Sequence, residues 1–206
     1  MSCPITELHD QRLGAVLRAL LASNARSVLD LGCGSGALLQ RLVQEPQFER
    51  IVGVDWCGTS LYEARDALRE HLAAEPDRLS IIAASYTARD AALQGFDACG
   101  MIETIEHVAP KMLGAVEETV FGYYRPRTLV MTTPNAEFNE LLGLARHEFR
   151  HPAHRFEWDS AKFRAWATGV ARRNGYRVRL SGIGAFHVVV GQPTQMAIFS
   201  RTLEHA

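Results

Sequence analysis

The chain has little cysteine. Cys3, Cys33, Cys57 and Cys99 are all it carries in 206 residues, and no two stand at CxxC spacing. A disulfide-stapled secreted fold or a structural zinc site needs more thiols, or thiols closer together, so free cysteines are expected. An excess of charge is missing as well. A formal net charge of −1 denies the protein the global basic surface from which most nucleic-acid binders draw affinity, so any such contact must be local. No apolar run is longer than a strand, and the opening "MSCPITELHDQR" lacks the charged and apolar regions of a signal peptide. A cytoplasmic protein without membrane attachment is expected. Repeats and low-complexity tracts are absent too. With 47% hydrophobic and 22% charged residues the composition is that of an ordinary globular chain, and residues 1–206 are read as a single domain around one core.

Periodicity supplies the elements. "SVLDLGC", "RIVGVDW", "LSIIAAS", "FDACGMI" and "RTLVMTT" are short apolar runs bounded by turn residues, which predicts five buried strands. Helical spacing appears in "ITELHDQRLGAVLRALLA", "GALLQRLVQE", "SLYEARDALREHLA", around "KMLGAVEETVFGYY" and in "DSAKFRAWATGVARRN". Two further strands, "YRVRLSGIG" and "TQMAIFS", suit an edge hairpin. Alternating strands and helices imply a doubly wound α/β fold: a mainly parallel seven-stranded sheet with an antiparallel edge strand and helices on both faces.

The stretch "VLDLGCGSG", Val28 to Gly36, places glycines at a strand-to-helix turn, where the backbone can approach a ligand closely. Asp55 ends the next strand, where a carboxylate can accept hydrogen bonds from both ribose hydroxyls of a nucleoside. A nucleoside cofactor fits. "DLGCGSG" is not the GxGxxG of dinucleotide sites; it resembles the DxGxGxG signature of class I S-adenosylmethionine-dependent methyltransferases, which are Rossmann-like. The resemblance implies that Gly32, Gly34 and Gly36 approach the methionine end of the cofactor, that Asp30 fixes the turn and the cofactor ammonium, that Asp55 binds the ribose, and that Ser85 contacts the adenine.

The fourth strand runs into "ETIEHV". If a helix begins there, Glu103, Glu106 and His107 stand at i, i+3 and i+4 and share one face, able to grip one ion. The plainer alternative is two glutamates favouring a helix N-terminus, with His107 at the surface. Roughly 25 residues then separate the fifth strand from the next helix, and long connections inside a compact domain are usually functional. This stretch contains His147, His151 and His154, three of the eight histidines of the chain, and leaves the same end of the sheet, so one of them can complete a metal site.

"GFDACGMIETIEHV", "TTPNAEFN" and "HRFEW" followed by "DSAKFRAWA" together resemble the small-RNA 3′-terminal ribose 2′-O-methyltransferases over most of the chain. The resemblance implies a metal held by Glu103, Glu106, His107 and His154, with the metal and substrate loop at about residues 133–158, and it names these four as catalytic. Manganese is the ion it favours, with magnesium or cobalt as alternatives. The implied substrate is an RNA 3′ end with a free 2′,3′-diol, and a polynucleotide kinase-phosphatase is an implied partner in RNA repair. A coordinated 2′-hydroxyl would ionise more easily; the proton acceptor is left open among His107, His154 and His151. Arg146, Arg150 and Arg155 are candidate phosphate contacts, and Phe138 or Phe149 candidate stacking platforms. Arg172 and Arg173 extend this arginine-rich C-terminal third. Phe156 and Trp158 are expected to be core anchors. The rivals are a metal-dependent methyltransferase acting on a catechol, which is also a vicinal diol, and a non-catalytic cofactor-binding subunit.

Overall fold

The computed structural model describes residues 4–145 and 147–202. Cys3 and Arg146 lie outside the described residues. Seven strands form one sheet: β1 (Ser27–Leu31), β2 (Arg50–Asp55), β3 (Leu79–Ala83), β4 (Ala98–Ile102), β5 (Thr128–Pro134), β6 (Tyr176–Ile183) and β7 (Thr194–Arg201). Their order is β3-β2-β1-β4-β5-β7-β6, with β1 to β5 parallel and β7 antiparallel to both its neighbours. The expected α/β architecture is therefore present, and its last hairpin closes one edge.

The parallel strands are apolar on both sides because both faces are covered. Leu29 and Leu31 of β1 join Met101, Leu129, Phe121 and Phe163 in one core cluster. Val28 points the other way, into a second cluster with Leu20, Leu39 and Ile51. The helices are α1 (Pro4–Ala22), α2 (Ala37–Leu42), α3 (Gly58–Ala67), α4 (Arg69–Ala74), α5 (Leu113–Val116) and α6 (Ser160–Asn174). Where an ordinary helix was expected after α5, an eight-residue π-helix spans Glu117–Tyr124. Its Phe121 is buried edge-to-face against Trp166, Tyr176 and Phe199. No described helix is long and apolar enough to cross a membrane. Cys33, Cys57 and Cys99 are free thiols, as expected.

Strand order reverses between β1 and β4, which opens a crevice at their carboxyl ends. The connection from β5 to α6, residues 135–159, lies over this end. It contains two single 3-10 turns, Ala136–Phe138 and Glu140–Leu142. Its base is pinned by Asn135, whose Nδ2 donates to the carbonyls of Val190 (2.8 Å) and Gln192 (3.0 Å), and by a bridge from Asn135 to Trp158. Trp158 packs on Phe156, Phe163 and Trp166, so Phe156 and Trp158 anchor the end of the loop to the core as expected.

Candidate functional site

The glycine turn is held by main-chain bonds and one carboxylate. Gly32 and Cys33 both donate to the carbonyl of Val54 (2.7 and 3.0 Å), which straps the turn to the end of β2. Asp55 accepts from the Gly34 N–H at 2.9 Å through Oδ2 and from the Cys57 N–H at 2.8 Å through Oδ1. Gly32, Gly34 and Gly36 all have positive φ, at 80°, 53° and 86°. A Cβ on Gly32 would stand 2.3 Å from Thr104 Cγ2, whereas one on Gly34 would meet nothing within 4 Å, so at Gly34 the backbone faces open space. Asp30, on β1, is 2% exposed and its Oδ2 has no hydrogen-bond partner. Burial, and secondarily repulsion from Asp55, push its carboxyl up to about 7. A buried carboxylate without a donor, beside an open glycine turn, fits a ligand bearing an ammonium group.

Ser85 follows β3 and caps its own turn, with Oγ bonded to Thr87 Oγ1 (2.8 Å) and accepting from the Thr87 N–H (3.2 Å). It lines a cavity of about 420 Å³ together with Trp56, Thr87, His107, Met112 and Arg155. One hollow thus joins Ser85 to His107. Trp56, directly after Asp55, exposes its indole at the rim (78%). The sequence contains its signal, a large aromatic beside an acidic strand end.

At "ETIEHV" the expected helix is absent. Glu103 N–H is bonded to the Thr132 carbonyl (3.1 Å), which carries the β4–β5 pairing one residue further. Glu103 then turns with φ 51°, and only a single 3-10 turn, Ile105–His107, follows. The i, i+3, i+4 face is therefore corrected: Glu103 precedes the turn and is aimed separately. Its Oε2 pairs with Arg12 of α1 at 2.5 Å while Oε1 is buried without a partner. Glu106 is fully buried; its Oε2 accepts from Thr133 Oγ1 at 3.1 Å and its Oε1 is likewise unpartnered. Burial raises both carboxyls, opposed at Glu103 mainly by Arg12 and reinforced at Glu106 by Glu103.

The distant loop reaches this edge. Arg155 N–H donates to the Glu106 carbonyl at 2.8 Å, and the rings of His107 and His154 stand edge-to-face with centroids 4.8 Å apart. His154 Nδ1 is 2.5 Å from Glu157 Oε1, a carboxyl that burial pushes up but that this imidazole and Asn139 bring below its usual range. His107 is shifted down by burial and by the neighbouring imidazoles, an effect opposed by the nearby backbone of Ala153. Among the described residues the tight set of candidate ligand atoms, all within 4.8 Å of one another, is His107, His151 and His154. Neither glutamate belongs to that set, and His151 is not among the four ligands that the resemblance implies. Still, two orphaned buried carboxylate oxygens in the segment that carries His107 supply, with the imidazoles, an O/N donor set without thiolate, whose chemistry fits a divalent cation of manganese or magnesium type.

The arginines separate. Arg155 is exposed at the cavity. Arg150 is reassigned: its Nε donates to Asn139 Oδ1 (2.7 Å), one terminal nitrogen to the Pro193 carbonyl (2.7 Å) and the other to the Asn135 carbonyl, so the guanidinium stitches the loop to the sheet. Arg173 is taken by Glu117. Phe149 is 44% exposed and Phe138 half-buried, while His147 is exposed outside the imidazole set. Sequence reasoning missed Arg12 and Thr133, which carry no local signal, and Glu157, which stands in "HRFEW" three residues after His154.

A doubly wound sheet with a glycine turn, an acidic β2 end and a crevice between them defines a methyltransferase domain, and residues 28–126 match the family model described as a methyltransferase domain. The chain is 39% identical to the crystallised methyltransferase domain of bacterial CtHen1, with a TM-score of 0.85 over 94% of this chain and 99% of that one. It is 37% identical to the small RNA 2′-O-methyltransferase of Gallus gallus over 93% of this chain and 53% of that protein. A Pnkp1/Rnl/Hen1 RNA repair complex contains a chain of the same fold, at 22% identity and a TM-score of 0.71 over 94% of this chain and 42% of that one. The chain belongs to the small RNA 2′-O-methyltransferase family and spans about half the length of this curated relative.

Proposed function

We propose that this domain transfers a methyl group from S-adenosylmethionine to the 2′-hydroxyl of the 3′-terminal nucleotide of RNA, with a divalent metal at the carboxylate–imidazole cluster. The observation that carries the reading is the bond from Arg155 to the Glu106 carbonyl, which seats the "HRFEW" histidine beside His107 at the mouth of the cofactor crevice.

Asp30, Gly32, Gly34, Gly36, Asp55 and Ser85 would hold the cofactor, which supplies an electrophilic sulfonium methyl. Asp30 meets its ammonium, Asp55 its ribose, and the open face of Gly34 lets the backbone come close. Glu103, Glu106, His107 and His154 would hold the metal, of which manganese is the proposed species; when bound, such an ion acidifies a coordinated hydroxyl. Arg12 fixes Glu103, Thr133 fixes Glu106 and Glu157 fixes His154, so three of the four donors are aimed before substrate arrives. Partial burial and the neighbouring imidazoles shift His107 downward, which favours the neutral form that a metal ligand requires. The exposed Arg155 would meet the terminal phosphodiester. A polynucleotide kinase-phosphatase partner belongs to the proposal through the family resemblance.

The test is transfer of labelled methyl groups with manganese to RNA ending in a ribose diol, a 2′-deoxyribose or a 3′-phosphate, and to a catechol. Label on the diol end alone is expected. Preferential labelling of the catechol, or equal labelling of the 2′-deoxy end, overturns the assignment.

A further inference from the structure

Three imidazoles converge at the loop, and hydrogen bonds give two of them different tautomers. The Glu157 carboxylate can only accept, so the His154 Nδ1 at 2.5 Å carries the proton and its Nε2 is left with a lone pair. His151 is reversed. Its Nδ1 accepts the Ala153 N–H at 3.1 Å, and an accepting Nδ1 puts the ring proton on Nε2. His154 and His151 are thus set in opposite senses, one by the Glu157 carboxylate and the other by the Ala153 N–H.

A nitrogen that carries a proton offers no lone pair to a cation and cannot take a proton from a hydroxyl. The His151 Nε2–H has no protein acceptor among the described residues, and its ring is exposed at 5.9 Å from His107 and 5.6 Å from His154, centroid to centroid. A donor in that position faces whatever oxygen the neighbouring groups engage. A terminal ribose has a second oxygen adjacent to the reacting one, and a single imidazole N–H suits a hydroxyl; the exposed Arg155 guanidinium is the group suited to phosphate.

We propose that His151 is a substrate-reading donor whose Nε2–H holds the 3′-hydroxyl oxygen of the terminal ribose, and is neither a metal ligand nor the proton acceptor. The assignment rests on the proposed RNA-end methylation and adds to it a residue that recognises the free 3′-hydroxyl.

The experiment uses the whole chain with His151→Ala and His151→Gln. The glutamine amide restores an N–H near the Nε2 position, and the ring's exposure makes both variants foldable, checked by melting temperature. Nitrogen-15 spectra of the wild type should place the proton on Nε2 of His151 and on Nδ1 of His154. Manganese affinity, read by electron paramagnetic resonance, should stay within about twofold of wild type in both variants. On RNA ending in a diol, His151→Ala should lower kcat/KM by about 5- to 50-fold and His151→Gln should recover most of it. On RNA with a 3′-deoxy end the alanine variant and wild type should differ by less than about twofold, in rate or, if that end turns over too slowly, in dissociation constant. A proton on Nδ1 of His151, a tenfold or greater loss of manganese affinity, or equal damage from alanine and glutamine would overturn the proposal. A wild-type chain that methylates no RNA end refutes the parent reading instead; the tautomers and the diol-against-deoxy dissociation constants then decide the role of His151 alone.

Discussion

Replacing Asp30 with asparagine should make the cofactor-free protein more stable at alkaline pH while removing its cofactor. Asp30 sits in register between Gly53 of β2 and Gly100 of β4, buried, with Oδ2 unpartnered and Asp55 nearby. Its carboxyl rises from 3.8 to about 7 on folding. Between those values the native state holds a proton that the unfolded chain has released, so stability falls as pH rises, by about 1.4 kcal/mol per pH unit, and levels off above pH 7. The full effect is on the order of 4 kcal/mol, an upper figure because water can enter the open crevice. Asparagine has no such ionisation. Urea unfolding followed by circular dichroism should give wild-type and Asp30→Asn curves that nearly coincide below about pH 4 and separate progressively to roughly 2–4 kcal/mol at pH 8, the variant being the more stable. S-adenosylhomocysteine, which carries the same ammonium, should stabilise the wild type most above pH 7 and the variant hardly at all. Parallel pH profiles for the two proteins would show that Asp30 is not held protonated in the fold and would remove the reason given for an ammonium site there.

Other side chains give equally direct tests. Glu157→Gln, which loosens His154 without touching the cluster, should weaken manganese binding by about 10- to 100-fold in a calorimetric titration while the fold persists. Arg12→Ala strands Glu103 without its cation, and loss of roughly 3 kcal/mol of stability is expected near neutral pH, shrinking on acidification as Glu103 takes up a proton; a pH-independent loss would mean that helix packing dominates. Arg155→Ala should lower RNA affinity similarly for all sequences and reduce the salt slope by about 0.7–1, as expected for one phosphate contact. Arg150→Ala should leave that slope unchanged and instead expose residues 135–159 to proteolysis, because its bonds tie the loop to the sheet.

Much of this architecture is legible in order along the chain because the forces that set it are local or periodic. Apolar runs bounded by turn residues marked the five parallel strands, two tail segments read as an edge hairpin became β6 and β7, and "DLGCGSG" marked a turn whose three glycines indeed have positive φ. The failures occur where a tertiary bond overrides local pattern. "ETIEHV" has helical spacing, yet Thr132 captures the Glu103 N–H and prolongs the strand, so the turn starts two residues later and aims the two glutamates separately. Arg12 could not be foreseen as the partner of Glu103, since nothing in an amphipathic helix tells which arginine will find a carboxylate on another element. Arg150 illustrates the converse error: an arginine in a long loop reads as a surface cation, but a long loop leaves carbonyls unsatisfied, and a guanidinium with several donors is the side chain suited to collecting them. The same requirement accounts for the charge crowded at the end of β4. Carboxylates can be buried at a strand edge only if other elements bring them donors, and here α1 brings Arg12 and β5 brings Thr133, each to one oxygen. The two oxygens left over are the part of the site that the chain's described residues do not satisfy, and an arrangement that costs this much desolvation is the physical reason to expect a cation there.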